Sequence, residues 1–277
     1  KGFRRSHRFL AMAWFALFAL VSSSLGVERL GRGLIVVPFE SGGNFVSWRL
    51  LPSDPVDASF SILRDGVVAN VEPLTVTSWV DREGTSESRY TALLIGDDLE
   101  VSAQDGVERW ADEYLEIPVE APATFPLPRS NSRWDRYRPG DGAVGDLDGD
   151  GQWELLFKWV GREQDPSRHG YSSPTILEAI ELDGSSLWRV NLGINVRSGA
   201  HYTPFLVYDL DGDGRAELVC RTSHGTVDGR GIILGDGSAD HRDARGRVLS
   251  APEFLTVFDC NINNMISGDS NFGIISV

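Results

Sequence analysis

The sequence predicts an all-β protein in which a small N-terminal β-sandwich is followed by repeated antiparallel units. Three observations support this fold class. Short Val/Ile/Leu-rich runs are separated by turn residues, Gly and Trp are abundant at 30 and 8 residues, and one strand–loop–strand pattern occurs twice. A chain of 277 residues is long enough for one large or two modest domains.

Residues 1–26 have the three parts of a secretory signal peptide. A basic head is followed by the uncharged apolar run Phe9–Val21 and then by small residues that end at Gly26. The apolar run is shorter than the ~20 residues that a membrane-spanning helix needs. We therefore expect cleavage after Gly26 and a secreted, extracellular or periplasmic protein with no stable membrane insertion. An uncleaved membrane anchor is the alternative.

Residues 27–120 contain the first set of predicted strands and are predicted to form the β-sandwich. The run Ser59–Leu63 leads into Asp65-Gly66, a dipeptide that strongly favours a hairpin turn. We find no arrangement of catalytic side chains in this part of the sequence. The predicted strands are Leu34–Val37, Phe45–Leu51, Ser59–Leu63, Leu74–Trp79, Tyr90–Ile95, Leu99–Ser102 and Tyr114–Val119.

A proline-rich stretch predicts the boundary between two domains. Pro122, Pro126 and Pro128 lie close together, and proline cannot continue a central strand or a helix. We therefore interpret residues 121–137 as a linker and residues 138–259 as the second domain.

Two acidic loops predict metal binding in the second domain. Each has the sequence Asp-Leu-Asp-Gly-Asp-Gly and is followed by a Glu and an apolar strand. Alternate Asp side chains can converge on one hard dication, Gly permits the sharp turn, and the seventh residue offers its backbone carbonyl. We predict Ca²⁺ rather than Mg²⁺, which keeps water ligands; a solvated acidic turn without metal is the alternative. The predicted ligands are Asp146, Asp148, Asp150, Gln152 and Glu154 in the first loop and Asp209, Asp211, Asp213, Arg215 and Glu217 in the second.

The repeated unit also indicates the architecture of the second domain. Each acidic loop connects two strands, and the turn Asp183-Gly184 joins two more. Such strand–loop–strand–hairpin units are typical of β-propeller blades.

The formal net charge of −14 argues against a nucleic-acid partner. Cys220 lies in a predicted buried strand, where a small free thiol is favoured over a disulfide.

Several stretches together resemble family 11 polysaccharide lyases, the rhamnogalacturonan lyases. The similarity covers nearly all of residues 28–259, and Val160 and His224 stand where the family tends to have Asp. Residues 260–277 form a divergent tail that does not resemble the family. The matching stretches are Leu30–Leu34, Val46–Leu51, Tyr114–Pro118, Val144–Gly151, Leu187–Arg189, Ser198–Thr203 and Glu253–Asp259.

The resemblance implies a fold and an activity. It implies an N-terminal β domain followed by an eight-bladed, calcium-rich propeller, of which this chain could form only the first blades. It also implies β-elimination at galacturonate in the rhamnogalacturonan backbone of pectin, an acidic plant cell-wall polysaccharide. The catalytic residues are unknown, because the resemblance assigns no catalytic base to this chain. We expect a monomer.

Five residues are candidate contacts for an acidic sugar. Lys158 follows the first acidic loop at a strand end, where it could instead be a surface lysine. Arg197, His201 and Tyr202 lie in one Gly/Ser-containing turn, and His201 could alternatively bind metal or cap a strand. Arg221 could pair with a uronate or form a structural salt bridge.

Three hypotheses about function follow from the sequence. The first is a rhamnogalacturonan lyase, with endo-acting cleavage favoured over exo-acting cleavage. The second is a calcium-stabilised carbohydrate-binding or adhesion module without catalysis. The third is a fragment that is not a functional protein at all.

Overall fold

The computed structural model describes residues 30–96, 106–128, 136–164, 168–199, 202–260 and 275–276. These residues form antiparallel strands and no helix, so the prediction of an all-β protein is confirmed for this part of the chain. Within the same residues no helix is long and apolar enough to cross a membrane. The predicted signal peptide, residues 1–26, lies outside the described residues.

Two antiparallel sheets are formed by the N-terminal part of the chain. One has the strand order β1-β2-β5 and the other the order β4-β3-β6-β7. Asp65 and Gly66 have positive φ angles of 52° and 79° in the turn between β3 and β4, as the Asp-Gly signal predicts. The strands are β1 Ile35–Pro38, β2 Asn44–Ser47, β3 Phe60–Arg64, β4 Val67–Val68, β5 Ser78–Asp81, β6 Arg89–Leu94 and β7 Val107–Glu108.

The two N-terminal sheets bury one apolar cluster. Val36 and Val46 come from the first sheet, Phe60 and Ile62 from the second, and all four are almost fully buried. Trp48 packs edge-to-face on Phe60, with ring centroids 5.5 Å apart. Alternate residues of each strand face this cluster because successive side chains of a strand point to opposite sides of the sheet.

A polar network lies at the edge of this cluster. The hydroxyl of Tyr90 donates a hydrogen bond to Asp81 at 2.8 Å and accepts one from the Asn44 amide at 2.9 Å. Arg64 pairs with Asp81 at 2.7 Å and compensates the buried carboxylate. Burial raises the pKa of Tyr90 to about 12. The network therefore ties three strands together through one phenol.

We expect Tyr90→Phe to lower the free energy of unfolding by about 1–3 kcal/mol, because the substitution leaves buried polar partners without their hydrogen bonds. Urea unfolding in saturating calcium measures this loss. Tyr114→Phe is the matched control, since Tyr114 is 65% exposed and its hydroxyl can bond to water. Equal stabilities of the two variants would contradict the prediction.

Two further sheets follow in the second part of the chain. One has the order β15-β14-β11-β10-β9-β8 and the other the order β12-β13-β16-β17. The hairpin predicted at Asp183-Gly184 joins β10 to β11. The strands are β8 Arg138–Gly145, β9 Glu154–Val160, β10 Ile176–Ile180, β11 Ser186–Asn191, β12 Phe205–Tyr208, β13 Glu217–Thr222, β14 Thr226–Val227, β15 Ile233–Leu234, β16 Phe254–Phe258 and β17 Ile275–Ser276.

These two sheets share one apolar core. Leu156 and Leu177 of the first sheet and Leu218 and Phe258 of the second are fully buried in it. Cys220 is also buried there as a free thiol, as predicted, and burial raises its pKa to about 12. The core places the ends of β8 and β12, where the acidic loops begin, beside each other, and the amide of Ala216 donates a hydrogen bond to the Asp146 carbonyl at 2.7 Å.

Some predicted strands differ from the structure. The strand predicted at Tyr114–Val119 is wrong, because this segment has no strand partner. It lies against the second part instead, where Pro118 packs on Gly184 and the Glu120 carbonyl accepts a hydrogen bond from Arg189 at 2.7 Å. The strand predicted over residues 45–51 ends at Ser47, and the one predicted over residues 99–102 lies outside the described residues. The predicted domain boundaries stay predictions.

Candidate metal centres

The first acidic loop connects β8 to β9 and gathers three carboxylates. Asp146, Asp148 and Glu154 each offer one oxygen, and these oxygens all lie within 4.8 Å of one another. Asp146 and Glu154 are fully buried. One oxygen of Glu154 accepts a hydrogen bond from the Leu147 amide at 2.5 Å, whereas its buried Oε1 has no hydrogen-bond partner. An unsatisfied buried carboxylate oxygen among other carboxylates fits a bound cation.

The second loop, between β12 and β13, repeats this geometry. Asp209, Asp211 and Glu217 bring their carboxylate oxygens within 4.8 Å of one another. The Glu217 carboxylate accepts a hydrogen bond from the Leu210 amide at 2.7 Å, as Glu154 does from Leu147. Glycine amides bond to the first Asp of each loop at the same distances, 2.7 and 3.0 Å. The same sequence therefore folds in the same way twice.

The remaining predicted ligands lie beside these clusters. Asp150 and Asp213 are exposed and accept hydrogen bonds from the amides of Gln152 and Arg215 at 2.7 and 2.9 Å. The Arg215 side chain also donates to the Asp148 carbonyl at 3.1 Å. Arg215 therefore connects the second loop to the first, a role that its place in the motif did not predict.

Contacts from the N-terminal part reach the first loop. The amide of Gly31 donates a hydrogen bond to the Gly151 carbonyl at 2.7 Å. The Arg49 guanidinium lies over the Trp153 ring, 3.8 Å from its centroid. The first loop therefore contacts residues of the N-terminal part of the chain as well as Arg215 of the second loop.

Electrostatics of the loops favour a dication. Burial, together with the neighbouring carboxylates, raises the pKa of Glu154 to about 8 and that of Glu217 to about 7. The pKa of Asp146 is raised for the same reasons. Such clusters ionise fully only with a counterion, and an all-oxygen donor set suits a hard cation. Either loop could therefore hold a metal ion.

Stability in calcium-free solution should fall as the pH rises from about 5 to 8. The folded pKa of Glu154, about 8, exceeds its ordinary value of 4.5, so the folded state binds more protons between these values. The stabilising contribution of the proton is complete below the lower pKa and is lost as the pH passes the upper one. Calcium should take the place of the proton and remove most of this decline.

Urea midpoints measured from pH 5 to 8 in EDTA and in CaCl₂ would test this pH dependence. A Glu154→Gln/Glu217→Gln variant is the control, because it cannot titrate at these positions and should show a flatter profile in EDTA. A wild-type midpoint that rises over this range in EDTA would contradict the prediction.

The candidate sugar-contacting residues occupy two places. Lys158, on β9, is buried and its Nζ pairs with Asp141 at 2.6 Å, so it is not a surface lysine. Arg221, on β13, donates to the Tyr202 carbonyl at 2.7 Å and pairs with Glu253 at 3.0 Å. Asp141 and Glu253 were not predicted as partners, since both lie far from these cations in the sequence.

Arg197 and Tyr202 lie in the same turn. The Arg197 guanidinium is buried and donates to the Arg168 carbonyl at 2.7 Å. The Tyr202 ring packs against Gly199, where a Cβ atom would lie 2.5 Å from it. The structure thus brings Tyr202 and Arg221 into contact, whereas Arg197 bonds to the segment around Arg168 and Lys158 lies on another sheet. His201 lies outside the described residues.

Two family profiles match this all-β chain with its paired acidic loops. Residues 25–110 match the β-sheet domain of rhamnogalacturonan I lyases, and residues 114–271 match the C-terminal domain of rhamnogalacturonan lyase family 11. The second match covers more than half of the chain. The chain therefore belongs to rhamnogalacturonan lyase family 11.

Individual relatives agree with this assignment. The rhamnogalacturonan endolyase YesW of Bacillus subtilis strain 168 is 42% identical in a 265-residue alignment that covers 92% of this chain and 42% of YesW. The exolyase YesX of the same organism is 42% identical over 234 residues, 84% of this chain and 38% of YesX. The chain thus spans about two fifths of the length of these relatives.

Solved structures show the same fold. The structure of YesW superposes with a TM-score of 0.78 over 86% of this chain and 41% of that chain, at 42% identity. A rhamnogalacturonan lyase of Bacillus licheniformis gives a TM-score of 0.77 at 38% identity, over 89% of this chain and 42% of that chain. The sequence and structural comparisons therefore identify the same family.

Proposed function

We propose that this chain supplies the N-terminal β-sandwich and the first blades of an eight-bladed propeller in a secreted, monomeric, calcium-dependent rhamnogalacturonan lyase. The observation that carries the proposal is the order of the two family matches along one chain. It is supported by 42% identity to an endolyase over 92% of this chain. The match to the exolyase is shorter, which favours endo-acting cleavage. We propose that the chain alone is inactive.

The proposed reaction is β-elimination at galacturonate. The C5 proton is acidified by the adjacent carboxylate, a base removes it, and the C4 oxygen leaves to give an unsaturated uronate. A cation on the uronate would stabilise the negative charge that develops. The catalytic base stays unassigned.

In this proposal the acidic loops bind Ca²⁺ and fix the strand ends, while cationic side chains hold the polymer. An acidic polymer must meet local positive charge on a protein whose formal net charge is −14. The Arg221 guanidinium lies 6.0 Å from the centroid of the Tyr202 ring, a combination suited to a uronate and a sugar face. We propose that Lys158, Arg197, His201, Tyr202 and Arg221 contact the polysaccharide.

A chimera can test the lyase proposal. Residues 30–258 of this chain would be joined to the C-terminal part of YesW that they do not match, and the chimera would be assayed for ultraviolet absorbance of the new double bond. We expect a calcium-dependent rise with rhamnogalacturonan I and none with homogalacturonan, which lacks rhamnose. Rapid shortening of the polymer would indicate endo-acting cleavage.

The chain by itself provides the second arm of the test. We expect it to be retained on immobilised rhamnogalacturonan without shortening the polymer. A chimera that unfolds cooperatively in calcium but gives no absorbance would contradict the lyase proposal. Retention of intact polymer by that chimera would then favour the binding-module alternative.

Arg221→Ala in the chimera should lower kcat/KM by about tenfold or more. The substitution removes a charge-assisted hydrogen bond worth ~1.5–3 kcal/mol, and the loss of that energy from the transition state lowers the rate by about this factor. Arg230→Ala is the matched control, because Arg230 is an exposed arginine on the loop between β14 and β15. Equal kinetics of the two variants would remove Arg221 from the proposed contacts.

A further inference from the structure

Two histidines outside the acidic loops lie side by side. His224 follows β13, and His241 lies in the loop after β15. The Nε2 atom of His241 is 3.3 Å from the Nδ1 atom of His224, and the ring centroids are 5.4 Å apart. Both residues are half-buried, so the pair remains accessible from solvent. Neither residue has a part in the proposed function.

The backbone around the pair is fixed by one buried side chain. The Asn195 amide donates hydrogen bonds to the carbonyls of His224 and Ala239, both at 2.9 Å, and its oxygen accepts one from the His241 amide at 2.8 Å. Phe254 packs against the His224 ring at a centroid distance of 6.1 Å. The two rings are therefore positioned by the fold itself.

The separation of the two nitrogens fits a shared metal. A tetrahedral zinc ion with Zn–N bonds of about 2.0–2.1 Å places two ligand nitrogens roughly 3.3 Å apart. The observed 3.3 Å equals this spacing and is longer than the ~2.9–3.0 Å usual for N–H···O hydrogen bonds. The pair thus has the geometry of a two-nitrogen chelate.

Water molecules would supply the remaining ligands of such an ion. Both rings are half-buried, so water can reach the pair, and no carboxylate or thiol of the described residues joins the two histidines in a three-residue cluster. A tetrahedral zinc ion accepts water at the positions that protein ligands leave open.

We propose that His224 and His241 bind a borderline dication such as Zn²⁺, with water molecules as the remaining ligands. Imidazole nitrogens suit zinc, copper and nickel, whereas Ca²⁺ prefers the oxygen donors of the two acidic loops. The site would add a metal link between the turn after β13 and the loop after β15, which Asn195 already joins by hydrogen bonds.

Calorimetric titration of the full chain with ZnCl₂, in buffer saturated with CaCl₂, tests the proposal. We expect one Zn²⁺ per chain and a loss of affinity of more than about tenfold in His224→Ala and in His241→Ala, since removing only an outer partner of a ligand costs this much. His169→Ala is the matched control, because His169 is exposed and contacts Arg245 instead. Its zinc affinity should equal that of the wild type.

A spectroscopic measurement makes the test independent of how the variants fold. Co²⁺ bound to the wild-type chain should give the intense visible bands of a tetrahedral site, and these bands should disappear when excess ZnCl₂ displaces the Co²⁺. Two results would overturn the proposal. One is unchanged zinc affinity in a folded His224→Ala/His241→Ala variant, and the other is the absence of tetrahedral Co²⁺ bands in the wild type.

Discussion

Removing calcium with EDTA is expected to lower the thermal unfolding midpoint of this chain by about 10–20 °C. A ligand at 100 times its Kd stabilises the folded state by about 2.7 kcal/mol per site, so two loops contribute about 5 kcal/mol. In a domain of 150–250 residues each kcal/mol shifts the midpoint by about 2–4 °C. Circular dichroism melts in EDTA and in CaCl₂ would measure the difference.

Variants of the first loop show whether this shift comes from the carboxylate cluster. Glu154→Gln should remove about half of the calcium-dependent shift, because Glu154 is buried within the cluster. Glu72→Gln, the matched control, should keep the whole shift, since Glu72 is exposed and lies outside both acidic loops. MgCl₂ should not replace CaCl₂. Identical midpoints of the wild type in EDTA and in CaCl₂ would refute calcium binding by the loops.

Glu178→Ala is expected to destabilise the second part of the chain by about 3–5 kcal/mol, the usual cost of breaking a buried ion pair by removing one partner. Glu178 is 2% exposed and accepts hydrogen bonds from the Trp159 indole and, at 2.5 Å, from the Ser186 hydroxyl. Arg189 lies 2.9 Å from the same carboxylate. The substitution would leave the buried indole N–H without its acceptor.

Urea unfolding in saturating calcium would measure the effect of Glu178→Ala. Ser186→Ala is the control, since it removes a single hydrogen bond and should cost about 1 kcal/mol. Glu178→Gln should be intermediate, because it keeps an acceptor for the indole but loses the charge. If Glu178→Ala were no more destabilised than Ser186→Ala, the network would not have the stabilising role that its burial indicates.

The acidic loops could be predicted because their geometry is local. Asp146, Asp148 and Glu154 lie within nine consecutive positions, so their spacing alone determines that their carboxylates converge. The strands that form the two apolar cores could also be predicted from the sequence, because alternation of apolar and polar residues marks a half-buried strand. The strand predicted at Tyr114–Val119 failed because alternation does not show whether a partner strand exists.

Contacts between distant residues could not be predicted from one sequence. Lys158 pairs with Asp141 across a bulge between β8 and β9, which no local pattern marks. The meeting of His224 with His241 depends on Asn195, far from both along the chain. The link from Arg215 to the first loop likewise requires two sheets to pack side by side.

The contacts of Gly31 and Arg49 with the first acidic loop have a consequence for the cooperativity of folding. The loop is held by the Gly31–Gly151 hydrogen bond and by the stacking of Arg49 on Trp153. Any ion that orders the loop therefore also orders Gly151 and Trp153, which the N-terminal part of the chain contacts. The N-terminal sheets should thus melt in the same transition as the acidic loops, although the sequence predicts no ligand within the sheets.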